Sequence, residues 1–296
     1  MKLDQDRLKR AFEKVPEEDF VNARYDSDVS HEPQKILIIF STPRSGSTLL
    51  CDYIKQAGLC VPHEYFQSTD YMPILGYRWG CIHGEKLNLD QYFESLLRYR
   101  TSPNGWLGIN VHGSHLNIFL KFFNRHPKFY YHFIHLERKN TIAQAVSYEK
   151  ASQTSGWSTY FNKIEPPSYC FNSIMDKLDR VEDQNSAIRC FLAGKNFSAL
   201  FYEDFIFNPS HEIVRVGLID NSKTPSFKPS LKQQNDGVNE KWIEKFSSDF
   251  QNSFIKMQLP KKIRPKKDIG YYWAKLIQKC QSLAGKIHSI TKLNIL

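Results

Sequence analysis

Residues Ile36–Leu50 read ILIIFSTPRSGSTLL. The first part, with Lys35 and Ser41 at its ends, is a short apolar run rich in β-branched residues. It is the composition of a buried strand. Five residues of turn chemistry follow: Thr42, Pro43, Arg44, Ser45 and Gly46. The next segment, Thr48–Ala57, places Leu49, Leu50, Tyr53, Ile54 and Ala57 on one helical face, with Gly58 as C-terminal cap. Strand, tight loop and helix in that order make an anion cradle. A helix N-terminus presents unpaired N–H groups and a partial positive charge. Gly46 lets the backbone approach the anion. Ser45, Ser47 and Thr48 add hydroxyl donors, and Arg44 adds a charged fork of N–H groups.

The nucleotide-hydrolase loop G-x-x-x-x-G-K-[ST] provides a contrast. Laid on it, Ser41 takes the first Gly, Gly46 the second and Thr48 the Ser/Thr, but Ser47 takes the Lys. The loop thus has the form of a phosphate or sulfate cradle without the lysine that reaches the β- and γ-phosphates.

Outward from the loop, strand-like and helix-like patterns alternate. Phe129–Leu136 and Phe197–Tyr202 read as strands. Thr141–Ala151 reads as a helix, as does a long segment marked by Ile174, Leu178, Val181, Ile188 and Leu192, ending near Gly194. Asn208-Pro209 opens another helix, with Asn as N-cap and Pro at its first position. The alternation predicts an α/β domain with a central parallel sheet flanked by helices in three layers. Ligands bind such sheets at the carboxyl ends of the strands. Ser152–Phe171, aromatic-rich with Pro166-Pro167, reads as a binding loop or lid.

The chain has 296 residues, 41% hydrophobic and 24% charged, which excludes collagen-like and broadly disordered classes. Its longest apolar runs fall far short of the roughly 20 residues needed to span a bilayer. A charged start followed by an apolar stretch and a small-residue cleavage site is not found, so a cytoplasmic chain is expected. The six cysteines are scattered, without a CxxC pair, and read as buried thiols.

The formal charge of +9 is uneven. Lys261–Leu296 carries nine Lys/Arg against one Asp, a net of +8. The body is nearly neutral, so nucleic acid is not the expected partner. Trp273, Leu276, Ile277, Cys280, Ala284, Ile287 and Thr291 recur at helical steps, with Lys275, Lys279 and Lys286 on another face. This basic amphipathic tail fits a terminal helix docked on the body or a second subunit, or one lying on an anionic membrane. The expected organisation is a peripheral segment 1–34, a central domain 35–260 and the tail 261–296.

TPRSGSTLL (Thr42–Leu50) followed by PHEYF (Pro62–Phe66) resembles the P-loop sulfotransferases, closest to the bacterial trehalose 2-sulfotransferase-like group. NGWLGINVH (Asn104–His112), FIHLERKNTIAQAVSYEKASQT (Phe133–Thr154) and FKPSLKQQND…EKW (Phe227–Trp242) resemble further segments of that family, in the same order. The resemblance implies a three-layer P-loop-like fold. It implies 3′-phosphoadenosine-5′-phosphosulfate as donor, no metal, and a hydroxyl-bearing acceptor on a carbohydrate or glycolipid. A homodimer and peripheral membrane contact through the tail are further partners to be tested.

By position, Arg44, Ser45, Gly46, Ser47 and Thr48 would hold the 5′-phosphosulfate, and Arg138 and Ser147 the 3′-phosphate. Lys232 and Gln233 match further donor contacts. Glu64 would be the general base, since sulfuryl transfer, like phosphoryl transfer, needs in-line positioning, charge stabilisation and a proton acceptor. The sequence departs from the family at Asn110, where a lysine is expected. His112 and His115 are candidates to stand in as base or acid, or are hydrogen-bonded structural histidines. Trp157 and Tyr160 are candidates to stack on a sugar or adenine. Two other readings stay open: an ATP-dependent P-loop kinase, against which the missing lysine argues, and a non-catalytic nucleotide-binding relative.

Overall fold

The computed structural model describes residues 2–16, 19–27, 32–157, 166–220 and 237–258. The chain divides after Phe246, and the sheet lies in the first unit. Helix α1 (Gln5–Lys14) begins at Asp4, whose carboxylate accepts from the Arg7 amide at 2.8 Å. Strand β1 (Lys35–Ser41) and helix α2 (Ser47–Gln56) follow, then α3 (Tyr71–Arg78) and a small hairpin, β2 (Ile82–His83) with β3 (Lys86–Leu87). Next come α4 (Leu89–Arg100), β4 (Trp106–His112), α5 (Leu116–Arg125), β5 (Tyr130–Glu137), α6 (Thr141–Thr154) and α7 (Phe171–Leu192). Strand β6 (Ser198–Phe201) and helices α8 (Tyr202–Phe207), α9 (Pro209–Arg215) and α10 (Val238–Gln258) complete the described order.

Strands β4-β1-β5-β6 form a four-stranded, wholly parallel sheet. The chain runs from β1 to β4 on one side, then crosses to β5 on the other. Ligands bind where the strand order reverses in this way, at the carboxyl ends. In register, Ser41 lies opposite His112, so the loop after β1 and the turn after β4 start side by side.

Ile36–Phe40 is buried throughout because both faces of β1 are covered. Ile36, Ile38 and Phe40 point into one cluster with Phe93, Leu96, Phe119, Phe122 and Ile188. Leu37 and Ile39 point into the other with Leu50, Tyr53, Ile54, Phe205 and Ile213. The two-residue period of the strand thus divides its side chains between two helical layers, and the three-layer expectation holds. Each buried Ile or Phe contributes about 1.5–3 kcal/mol.

The expected elements are present within a few residues of their assigned ends. Gly58 takes a positive φ of 70° just past α2, and Asn208 caps α9 by accepting from the His211 amide at 3.2 Å. The cysteine expectation holds only in part. Cys51, Cys60 and Cys81 are buried thiols, whereas Cys170 and Cys190 are exposed, because they fall on the outward side of the start and end of α7. Among the described residues no helix is long and apolar enough to cross a membrane. Lys232, Gln233, Tyr160 and the tail 261–296 lie outside the described residues.

Candidate active site

The loop after β1 closes on itself through the Ser45 amide, which donates to the Thr42 carbonyl at 3.2 Å. Gly46 is the N-cap of α2 in the left-handed region, at φ 90°. A side chain there would collide with Cδ2 of Tyr202 and lie 2.7 Å from its Cε2. Glycine therefore satisfies both the backbone angle and the close ring. Arg44 also has a positive φ, 64°, a conformation that costs a non-glycine residue about 1–3 kcal/mol. That cost buys a side-chain direction. Arg44 Nε donates to Ser147 Oγ at 2.9 Å, and Nη1 to the Trp157 carbonyl at 2.6 Å.

Arg138, just past β5, donates from Nη1 to the Arg44 carbonyl at 3.4 Å. Its guanidinium lies 4.9 Å from the Tyr202 ring centroid, and Nε is 3.8 Å from Glu203 Oε1. Burial and the charge of Arg138 lower the Arg44 pKa to about 10, with Tyr202 acting the other way. The Arg44 guanidinium remains charged at neutral pH, so the loop concentrates positive charge at the mouth of a helix N-terminus. Ser45 is fully buried, and its Oγ has no hydrogen-bond partner among the described residues. A buried hydroxyl left unmatched costs about 1–3 kcal/mol, which an oxyanion would recover. Ser47 is buried at the start of α2, and Thr48 is exposed.

A second group of side chains gathers at the end of β4. The His63 carbonyl accepts from the Asn110 amide at 2.9 Å, pairing His63 with Ile109 as a parallel bridge. This single link folds the segment after α2 back along the sheet and delivers Glu64 to the site. Glu64 Oε2 lies 3.5 Å from His112 Nδ1. The rings of His112 and His115 stack at 5.3 Å with an 18° interplanar angle. Burial raises the Glu64 pKa, although His115 and His63 pull it down, and Asp19 and Asp70 raise it further. Burial holds both His112 and His115 down to about 4, so neither imidazole is charged at neutral pH.

The structure brings Arg44, Ser45, Gly46, Ser47, Arg138 and Ser147 together around one loop. It places Glu64, His112 and His115 together at the next strand. Asn110 is buried, and its Oδ1 accepts from Ser41 Oγ at 2.8 Å, so this residue ties β1 to β4 where a lysine would reach outward. Trp157 contributes its carbonyl, while its ring packs edge-on against Tyr148 at 5.9 Å.

Sequence reasoning missed four supporting residues. Gln144 is fully buried and donates to Thr42 Oγ1 and the Pro43 carbonyl, both at 2.8 Å. Tyr202 floors Gly46, and Glu203 accepts from the Lys139 and Asn140 amides at 2.9 and 3.1 Å, bracing the Arg138 turn. Asn239 lines a small cleft with Arg44, Ser147, Lys150 and Thr154, and its Oδ1 is buried without a partner among the described residues. None carries a local signal, although Gln144 and Asn239 sit within segments whose resemblance is legible. Gln144→Leu should lower stability by about 1–3 kcal/mol, because two loop acceptors lose their donor. Urea denaturation checks this, and a shift below that range would show that the loop holds itself.

Solved structures that resemble the chain include these two. One is the sulfotransferase domain from the Synechococcus PCC 7002 olefin synthase, at 15% identity and TM-score 0.35, covering 75% of this chain and 98% of that one. The other is retinol dehydratase in a complex with retinol and PAP, at 13% identity and TM-score 0.39, covering 90% and 98%. No curated protein matches the sequence. The model of the Stf0 sulphotransferase family matches residues 36–118 and 128–249, a span that takes in the cradle, the Glu64 segment, β4 and the Arg138–Ser147 segment. On that match over more than half its length, the chain belongs to the Stf0 sulphotransferase family.

Proposed function

We propose that this sulfotransferase moves a sulfuryl group from 3′-phosphoadenosine-5′-phosphosulfate to an acceptor hydroxyl on a carbohydrate or glycolipid. The observation that carries the reading is the loop itself: a buried, unmatched Ser45 hydroxyl beside two converging guanidiniums at a helix N-terminus. That arrangement fits a ligand with more than one anionic group. The donor, when bound, supplies the activated sulfuryl group.

The chain's own residues do the rest. Amides and hydroxyls of Ser45, Gly46, Ser47 and Thr48, with Arg44, cradle the 5′ end and stabilise charge on the leaving phosphate. Arg138 and Ser147 hold the 3′-phosphate, with Lys232 and Gln233 as covering contacts. Glu64 accepts the proton of the acceptor hydroxyl; a carboxyl made more basic by burial suits that task. His112 Nδ1 orients the carboxylate. An acceptor carried by a membrane lipid fits the +8 tail, which would hold the protein at an anionic surface.

Calorimetry with 3′-phosphoadenosine-5′-phosphate, without magnesium, tests the donor. Micromolar binding is expected. Arg138→Ala should weaken it roughly ten- to a hundredfold, since a hydrogen bond to a charged group contributes about 1.5–3 kcal/mol. Preference for ATP with magnesium would instead make the chain a kinase.

A further inference from the structure

Glu64, His112 and His115 come from three different stretches: the segment after α2, the last residue of β4, and the short turn Gly113–His115. One donor atom from each lies within 4.8 Å of the other two. Glu64 Oε2 and His112 Nδ1 are 3.5 Å apart. Ligand bonds of about 2.1 Å in a tetrahedral site place neighbouring donors about 3.4 Å apart. The pair is already at ligand spacing, and the His115 donor lies within 4.8 Å of both.

The hydrogen-bond inventory points the same way. His112 and His115 are 8% and 9% exposed. His112 Nε2 and His115 Nδ1 are buried and have no hydrogen-bond partner among the described residues. Buried imidazole nitrogens are normally matched. Here His115 leaves Nδ1 unmatched beside a carboxylate, and His112 faces the same carboxylate through Nδ1. The turn that carries His115 is fixed from outside, because the Ser114 amide donates to Gln184 Oε1 of α7 at 3.3 Å. A side chain at Gly113 would lie 2.5 Å from Gln184 Cβ, so the turn is pressed against α7.

We propose that Glu64, His112 and His115 form a binding site for a divalent first-row cation of the zinc class, beside the anion cradle. Two imidazoles with one carboxylate select such ions over magnesium or calcium, which take oxygen donors. Three protein ligands leave a fourth position open. The bound cation occupies the Glu64 carboxylate. If Glu64 is the base of the preceding section, a consequence that rests on that reading follows: the metal inhibits transfer.

The test uses the full chain, freed of chelating tags, titrated with Zn²⁺ against a chromophoric chelator. One Zn²⁺ per chain is expected, at micromolar affinity or tighter. His112→Ala and His115→Ala should each weaken it by at least about tenfold, the scale of losing a group that orients a ligand. Cys170→Ser should leave it unchanged. Absent stoichiometric binding, or wild-type affinity retained in both histidine variants, overturns the site. Should those variants fail to fold, the Co²⁺-loaded wild-type protein decides. Visible bands with no thiolate charge transfer support the site, and a thiolate band overturns it. Bisphosphate binding depends on Arg44 and Arg138, so it reports on the transferase reading separately.

Discussion

Glu64→Gln is expected to lower turnover by about 10²–10⁴-fold, the usual contribution of a positioned proton acceptor, while affinity for 3′-phosphoadenosine-5′-phosphate stays within about twofold. The substitution keeps the shape of the side chain and a hydrogen-bonding oxygen towards His112. It removes only the ability to take a proton. The donor cradle hangs from β1, β5 and β6, whereas Glu64 is delivered by the His63–Asn110 link to β4, so the loss should be confined to the chemical step. Initial rates of bisphosphate release with a disaccharide acceptor, beside calorimetry of the bisphosphate, check both halves. An unchanged rate would take the proton from Glu64 and give it to another group; an equal fall in both readouts would make Glu64 a structural residue.

The second large effect is at Gly46. Gly46→Ala should destabilise the protein by about 2–4 kcal/mol and abolish micromolar bisphosphate binding. Two costs combine. A left-handed φ of 90° costs an alanine about 1–2 kcal/mol. The new methyl also strikes the Tyr202 ring, and overpacking costs about 1–3 kcal/mol. Tyr202 cannot retreat without loss, because Arg138 rests on its other contacts. Relief at Gly46 therefore displaces a guanidinium proposed to hold the 3′-phosphate. Thermal denaturation and calorimetry of the same preparation separate the two effects. Retained binding in a destabilised variant would mean that the ring moves and the loop does not.

The cradle was legible because its signal is local. A run of β-branched residues, a glycine-centred turn and a helical face occupy Ile36–Leu50 without interruption. The strands and helices around Arg138 and Ser147 were legible for the same reason. The pattern of β4, WLGINVH, does not by itself read as a strand. Gly108 and Asn110 break the apolar run, and both are there for contacts made at a distance. A side chain at Gly108 would meet Cys60 and Pro62, and Asn110 bonds Ser41 and the His63 carbonyl. Helices α3 and α4 carry short apolar faces, and in α1 Phe12 is 45% exposed while its neighbour Ala11 is buried. Short apolar faces do not state which side they cover. The grouping of Glu64, His112 and His115 was invisible for a plainer reason: a single backbone bond across the sheet creates it, and no spacing along the chain encodes that bond.

The strand order β4-β1-β5-β6 has a consequence for how such a protein diversifies. Among the described residues, those proposed to grip the donor descend from β1 and the flank of β5 and β6, and those proposed to face the acceptor descend from β4 and the segment tied to it. The two flanks meet at the central strand and in the core cluster on one side of it. Substitutions on the β4 flank can retune which hydroxyl is chosen while the donor grip on the opposite flank is left intact. The fold thereby separates a fixed half from an evolvable one, with a seven-residue strand as the hinge of inheritance between them.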